Sequence, residues 1–220
     1  STRKESSAAS DVYKRQADQE RPREYSVASI PDDGRVHLLV RQEQREDGSL
    51  GIASGWLTEQ ASIGDTIDLR LRPHKNFRLG NNLDRPLILI GNGTGLAGLR
   101  SHLKARAAHG MQRNWLVFGE RNAANDFYYR DEIEAWQNQG VLERADIVFS
   151  RDQEQRIYVQ DKLREQAEQV RNWLAAGAAI YVCGSLEGMA GGVEASLTDI
   201  IGSTGVEQLI EQGRYRRDVY

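Results

Sequence analysis

The hydrophobic pattern of the chain changes period at Arg85-Pro86. Before that point, residues 25–29 and 35–41 are rich in β-formers, with the turn residues Asp32-Asp33-Gly34 between them. Residues 66–71 alternate apolar and polar side chains as a half-buried strand does. Residues 51–59 read as a short helix entered through a glycine. The pattern predicts mostly antiparallel β structure for this part. Residues 1–20 show no periodicity. A polar, mixed-charge stretch of this kind buries too little apolar area to offset its ordering entropy, and it reads as a disordered or non-native tail.

After Pro86, short apolar runs alternate with longer helical stretches. Leu87-Ile88-Leu89-Ile90 has the unbroken apolar character of a strand covered on both faces. Further strands are predicted at 115–118, 145–149 and 179–183. Helices are predicted at 96–108, 131–138, 159–175 and, in one or two pieces, 186–212. Strands separated by helices imply a parallel sheet with right-handed crossovers. The second part is therefore expected to be an α/β domain of the dinucleotide-binding type, with helices on both faces of a parallel sheet.

Composition narrows the function classes. At 220 residues and 39% hydrophobic, the chain suits one large domain or two small ones. Its 29 basic and 32 acidic residues leave no basic excess for nucleic acid or an anionic membrane. One cysteine excludes an internal disulfide framework and a Cys-rich zinc site. The four histidines have no ligand spacing, so no metal site is expected. No apolar run approaches the roughly 20 residues needed to span a bilayer.

Candidate chemistry collects at a few points. Ile90-Gly91-Asn92-Gly93-Thr94-Gly95 follows a predicted strand and opens a predicted helix. In that context glycine lets the backbone approach a pyrophosphate at a helix N-terminus, and a tight packing turn is the alternative. Ser150-Arg151, followed by Arg156, Tyr158 and Gln160, stands at the end of an apolar strand. A hydroxyl and two guanidinium groups there can clamp a phosphate monoester, although a solvated charge cluster also fits. Arg23-Glu24-Tyr25-Ser26 and Gly51-Ile52-Ala53-Ser54 offer an arginine for a pyrophosphate and a tyrosine for a flat ring. Ser54 reads equally as a helix N-cap. Cys183 sits at the carboxyl edge of a predicted strand, where a lone cysteine is commonly a small buried hydrophobe. The segment Arg214-Tyr215-Arg216-Arg217-Asp218-Val219-Tyr220 reads from its residues alone as a frayed end.

Together, Arg23-x-Tyr25-Ser26, Gly51-x-x-Ser54, Gly91-x-Gly93-Thr94-Gly95, Ser150-Arg151-Asp152-Gln153, Tyr158-Val159-Gln160, Tyr181-Val182-Cys183-Gly184 and Asp218-Val219-Tyr220 form an ordered set. In order and approximate spacing it resembles the FAD/NADPH reductase module of the diflavin reductases. That family includes sulfite reductase flavoproteins and cytochrome P450 reductases, and is related to ferredoxin-NADP reductase. The resemblance implies part of an antiparallel FAD-binding β-barrel over 21–83 and an NADPH-binding α/β domain over 84–220.

It further implies that Arg23, Tyr25, Ser26 and the stretch Gly51, Ile52, Ala53 and Ser54 bind FAD. Gly93, Thr94, Gly95 and Arg100 would hold the NADPH pyrophosphate. Ser150, Arg151, Arg156, Tyr158 and Gln160 would hold its 2′-phosphate end. Ser54, Cys183 and Asp218 would be catalytic, and Tyr220 would stack on the flavin until the nicotinamide displaces it. The implied function is NADPH-dependent hydride transfer to FAD, then single-electron transfer to an FMN domain and a haem or iron–sulfur acceptor. The alternatives are a stand-alone flavodoxin or ferredoxin reductase, or a catalytically silent NADPH-binding fragment. The family's FMN domain and first barrel strands are not in the sequence, so a C-terminal fragment with an incomplete barrel is expected. A cytoplasmic location is expected, compatible with a parent tethered to a membrane elsewhere. Two departures stand out: the family's prolines near Asn92 and Gly98 are missing, and Ser185 stands where the family has an acid.

Overall fold

The computed structural model describes residues 22–121, 129–152 and 154–220. The expected tail at 1–20 and Gln153 of the serine–arginine motif lie outside the described residues. Two compact units make up the chain. Among the described residues, one combines the stretch up to Tyr25 with Leu39–Lys75, and the other combines Ser26–Leu38 with the stretch from Asn76 to Tyr220.

In the smaller unit, α1 (Ile52–Gly55) starts at Gly51 and runs into a single π-turn, Trp56–Gln60. Gln44 and Leu50 make one antiparallel bridge. The strand expected at 66–71 has no ladder among the described residues. Alternation supplies a face, but a strand also needs a neighbour to satisfy its N–H and C=O groups.

The larger unit is built on five parallel strands: β1 (Leu87–Asn92), β2 (Asn114–Glu120), β3 (Arg144–Phe149), β4 (Ala179–Gly184) and β5 (Tyr215–Val219). They lie in the order β3-β2-β1-β4-β5. The crossovers carry α2 (Leu96–Ala108), α3 (Arg130–Asn138), α4 (Val159–Glu165), α5 (Ala167–Ala175) and α6 (Gly191–Glu211). Ile90 of β1 stands beside Val117 of β2 and Val182 of β4. Central strands meet helices on both faces, which is why β1 and β4 are apolar without alternation. Ile88, Ile90, Ile180 and Val182 pack with Leu163, Val170, Val193 and Leu197 from α4, α5 and α6 in one core.

Three differences from the sequence pattern have physical causes. The expected helix 159–175 is two helices, because Gln166 leaves helical geometry (φ −100°, ψ 26°). The buried positions Val159, Leu163, Val170 and Trp173 keep a spacing that suits an unbroken helix, so the pattern carries no sign of the break. In α6, Gly202 (φ 78°, ψ 162°) makes a kink, and Arg171 donates from Nε to the Ile200 carbonyl (3.1 Å) there. The supposed frayed end is strand β5, paired in parallel with β4. Its charged residues disguise it, yet charge is a common guard on an edge strand.

The expected strands 25–29 and 35–41 shrink to one bridge, Val27↔Leu38, around a 3₁₀ turn at Pro31–Asp33. This short hairpin belongs to the larger unit, where Ala28 is fully buried.

One half-buried histidine makes this unit sensitive to acid. The His102 ring lies against Phe77 and Tyr181, with both ring centroids 4.9 Å away, and Nε2 donates to the Phe77 carbonyl (2.7 Å). Burial pushes its pKa down from 6.5 to about 4. Protonation therefore favours the unfolded chain in that interval. Stability from the neutral ring is complete above pH 6.5 and is lost as pH falls towards 4, by up to about 3 kcal/mol. Urea denaturation across this range is expected to show a slope that His102→Phe flattens. An unchanged slope would assign the acid loss to other groups.

Candidate functional site

The strand order places the chain's reversal between β1 and β4: β2 and β3 are added on one side of β1, then β4 and β5 on the other. In an open parallel sheet, the crevice beyond the carboxyl ends at such a switch point is where ligands bind. Two loops meet there, Asn92 to Gly95 after β1 and Gly184-Ser185 after β4. Gly95 touches the end of β4 so closely that an added Cβ would stand 2.1 Å from the Cys183 carbonyl oxygen. At Gly91 it would stand 2.6 Å from the same oxygen. Gly93 takes the left-handed conformation (φ 53°), and α2 begins directly after the turn Gly93–Gly95. Asn92, where the family has a proline nearby, accepts the Ser185 N–H on Oδ1 (2.9 Å) and so ties the two loops together.

Beside these loops lie three side chains from distant parts of the sequence. Ser26 donates from Oγ to Asp218 Oδ2 (3.1 Å), and its hydroxyl lies near the Cys183 thiol. Burial, helped by the Asp218 charge, pushes the Cys183 thiol up to about 12, so at neutral pH it is a thiol and not a thiolate. Cys183 is fully buried, as the lone-hydrophobe reading expects, and it also adjoins Asp218. Tyr220 is bound to both loops. Its N–H donates to Gly184 O (3.1 Å), its carbonyl accepts the Leu186 N–H (2.9 Å), and its hydroxyl lies 2.9 Å from Thr94 Oγ1.

The serine–arginine segment leaves the carboxyl end of β3. The Ser150 N–H donates to Glu120 O and the Arg151 N–H to Arg121 O, both at 2.9 Å, at the end of β2. Arg151, Arg156 and Tyr158 are exposed, the last immediately before α4. Gln160 is half-buried and packs on Gly192 of α6, and its Oε1 is buried without a hydrogen-bond partner. A buried polar atom of that kind invites a ligand donor or water.

Two residues make contacts that the resemblance did not imply. Arg100 faces away from solvent: Nε and Nη2 donate to Glu132 (2.6 and 3.0 Å), and Nη1 donates to Ala28 O (2.7 Å) and His37 Nδ1 (3.1 Å). Four of its five N–H hydrogens are thus committed inside the protein, and little remains for a pyrophosphate. Ser54 belongs to the smaller unit, where its hydroxyl accepts the Glu43 N–H (3.0 Å). The serine found beside Cys183 and Asp218 is Ser26, which the resemblance had given to the flavin alone. No local signal distinguishes the two serines, because the partners of Ser26 lie far along the chain.

The smaller unit, taken by itself, has an exposed Arg23, a half-buried Tyr25 and the start of α1. The first N–H groups of a helix, here on Ile52, Ala53 and Ser54, have no acceptor within the helix. An added Cβ at Gly51 would stand 2.7 Å from Ser54 Oγ, so glycine lets this turn close. Among the described residues no cluster of three or more His, Cys, Asp or Glu is arranged to hold a metal ion, and no helix is long and apolar enough to cross a membrane.

Residues 89–195 match the oxidoreductase NAD-binding domain family. The chain is also 40% identical over 215 residues to the sulfite reductase [NADPH] flavoprotein alpha-component of Neisseria meningitidis serogroup B. The corresponding proteins of Mannheimia succiniciproducens and Salmonella typhimurium are 38% and 39% identical over the same length. The chain belongs to the diflavin reductase family. Each alignment covers 90% of this chain but 36% of the relative, so the chain spans about a third of the length of these diflavin reductases. The switch-point loops, Cys183 and α2 fall inside the matched NAD-binding domain. Ser26 and Asp218 fall outside it, and the tertiary structure brings them to its edge.

Proposed function

We propose that this chain is the FAD- and NADPH-binding reductase portion of a diflavin flavoprotein working in the cytoplasm. In the whole protein, electrons would pass on to an FMN-bearing domain and then to a haem or iron–sulfur acceptor, as in a sulfite reductase. When bound, NADPH supplies a hydride, and FAD accepts it and gives up its electrons one at a time. By function, 21–83 would serve FAD and 84–220 NADPH, although the compact units divide the chain elsewhere.

The observation that carries this reading is the glycine loop set against the end of β4 at the switch point, with Ser26, Cys183 and Asp218 beside it. Gly93, Thr94 and Gly95 present backbone N–H groups and a helix N-terminus to a pyrophosphate. Ser150, Arg151, Arg156, Tyr158 and Gln160 take the 2′-phosphate end. Arg23, Tyr25 and the N–H groups of Ile52, Ala53 and Ser54 take FAD, and Arg100 is left out of the phosphate set. The Asp218 carboxylate, oriented by the Ser26 hydroxyl, stabilises positive charge developing on a nicotinamide. Cys183 supplies a neutral wall. Tyr220, bound to Thr94, must release that hydroxyl for the loop to be fully open.

The test is a titration of the purified chain with FAD, followed by flavin fluorescence, and then NADPH-driven dye reduction. Saturable quenching and dye reduction are the expected results. NADPH binding without flavin binding would limit this segment to nucleotide binding and leave reductase activity to the whole protein. Binding of neither would overturn the reading.

A further inference from the structure

Arg100 deserves a role of its own, because a buried guanidinium is costly unless it is paired. It is 6% exposed, held bidentately by Glu132 of α3, with the Tyr129 ring 4.7 Å from Cζ. Its remaining bonds, to Ala28 O and His37 Nδ1, grip both arms of the 26–38 hairpin. One turn further along α2, Lys104 pairs with Asp33 (2.6 Å) at the hairpin's turn. Two residues before Arg100, Gly98 lets α2 pass close to the reacting cluster. An added Cβ there would meet Cys183 Sγ at 3.0 Å and Ser26 Cβ at 3.9 Å. One helix therefore carries both a spacer facing Ser26 and Cys183 and a clamp on the residue two positions beyond Ser26.

We propose that Arg100, locked by Glu132, is a positioning residue that anchors the 26–38 hairpin to α2 and thereby sets the Ser26 hydroxyl against Asp218 and over Cys183. It acts through Ala28 and touches neither cofactor. Lysine cannot replace it, because a single ammonium cannot hold Glu132 bidentately and reach the Ala28 carbonyl in the same plane. The consequence for rate rests on the hydride-transfer reading above. The anchoring itself does not.

Because Cys183 is the only cysteine of the chain, thiol alkylation reports directly on its cover. The experiment compares wild type, Arg100→Lys and Glu132→Gln, the last nearly isosteric and chosen to preserve folding. Three readouts are taken: alkylation rate of Cys183 in the native state, hydrogen exchange of 26–38, and the split of kcat from KM in NADPH-driven dye reduction. Both variants are expected to speed alkylation by about 10-fold or more through local opening of the hairpin. Amide protection should fall in 26–38 while β1 and β4 keep theirs. The kcat is expected to fall by about 10-fold with KM for NADPH within about 2-fold, the signature of lost alignment rather than lost binding. A raised KM with kcat, alkylation and exchange unchanged would overturn the proposal and return Arg100 to the pyrophosphate. Unchanged alkylation and exchange in both variants would overturn it whatever the kinetics. Should wild type reduce no dye, the hydride-transfer reading fails, and the alkylation and exchange arms still decide the anchor.

Discussion

Gly95→Ala is expected to abolish NADPH binding and to destabilise the larger unit by about 3 kcal/mol or more. The added methyl would stand 2.1 Å from the Cys183 carbonyl oxygen, 2.5 Å from its carbonyl carbon and 2.8 Å from Gly184 Cα. All three are backbone atoms at the end of a central, fully buried strand. No side-chain rotation can relieve the contact, so either the loop or the strand must move. Moving the loop withdraws the N–H groups from the pyrophosphate, and moving the strand displaces Cys183. Gly191→Ala is the matching control. Nothing lies within 4 Å of a Cβ at Gly191, which is the first residue of α6. That variant is expected to be neutral or more stable by up to about 1 kcal/mol. Urea denaturation and an NADPH titration of both proteins decide the matter. A Gly95→Ala variant as stable and as tight-binding as wild type would remove the close approach from any functional account.

The second large effect is on dinucleotide choice. Replacing Arg151 and Arg156 together by alanine is expected to weaken NADPH binding by a factor on the order of 100 or more. Each charge-assisted bond to a phosphate contributes about 1.5–3 kcal/mol. NADH lacks the 2′-phosphate, so its affinity should change by less than about 3-fold, through the general field alone. Both arginines are exposed, so stability should stay within about 0.5 kcal/mol of wild type. The preference of wild type for NADPH should also weaken with added salt, since exposed charges are screened. Comparable losses for NADPH and NADH, measured by isothermal titration, would rule out these arginines as the 2′-phosphate clamp.

Much of the α/β fold was legible along the chain because its causes are local. Four short apolar runs read as strands, the first of them as one covered on both faces, and β1 to β4 lie over them. Helix 96–108 was placed by the glycine loop before it, and α2 has those bounds. The crowding of Gly91 and Gly95 against β4 explains why that loop had to be glycine-rich. The break at Gln166 was invisible because the buried positions on either side keep helical spacing. Strand β5 was invisible because an edge strand needs few apolar residues, and its pairing with β4 is decided across the sheet.

Of the candidate site, the sequence by itself determined the glycine loop, the strand that ends in Cys183 and the arginines beyond β3, since each is a pattern of neighbours. The tertiary structure alone decided which serine meets the carboxylate and what Arg100 holds. Ser26 and Asp218 are 192 positions apart, and Arg100 reaches Ala28 72 positions back and Glu132 32 positions ahead. No local period encodes such pairs. They arise when the sheet's parallel order brings the end of β5 beside β4, and when α2 needs buried partners for a guanidinium it cannot leave in water.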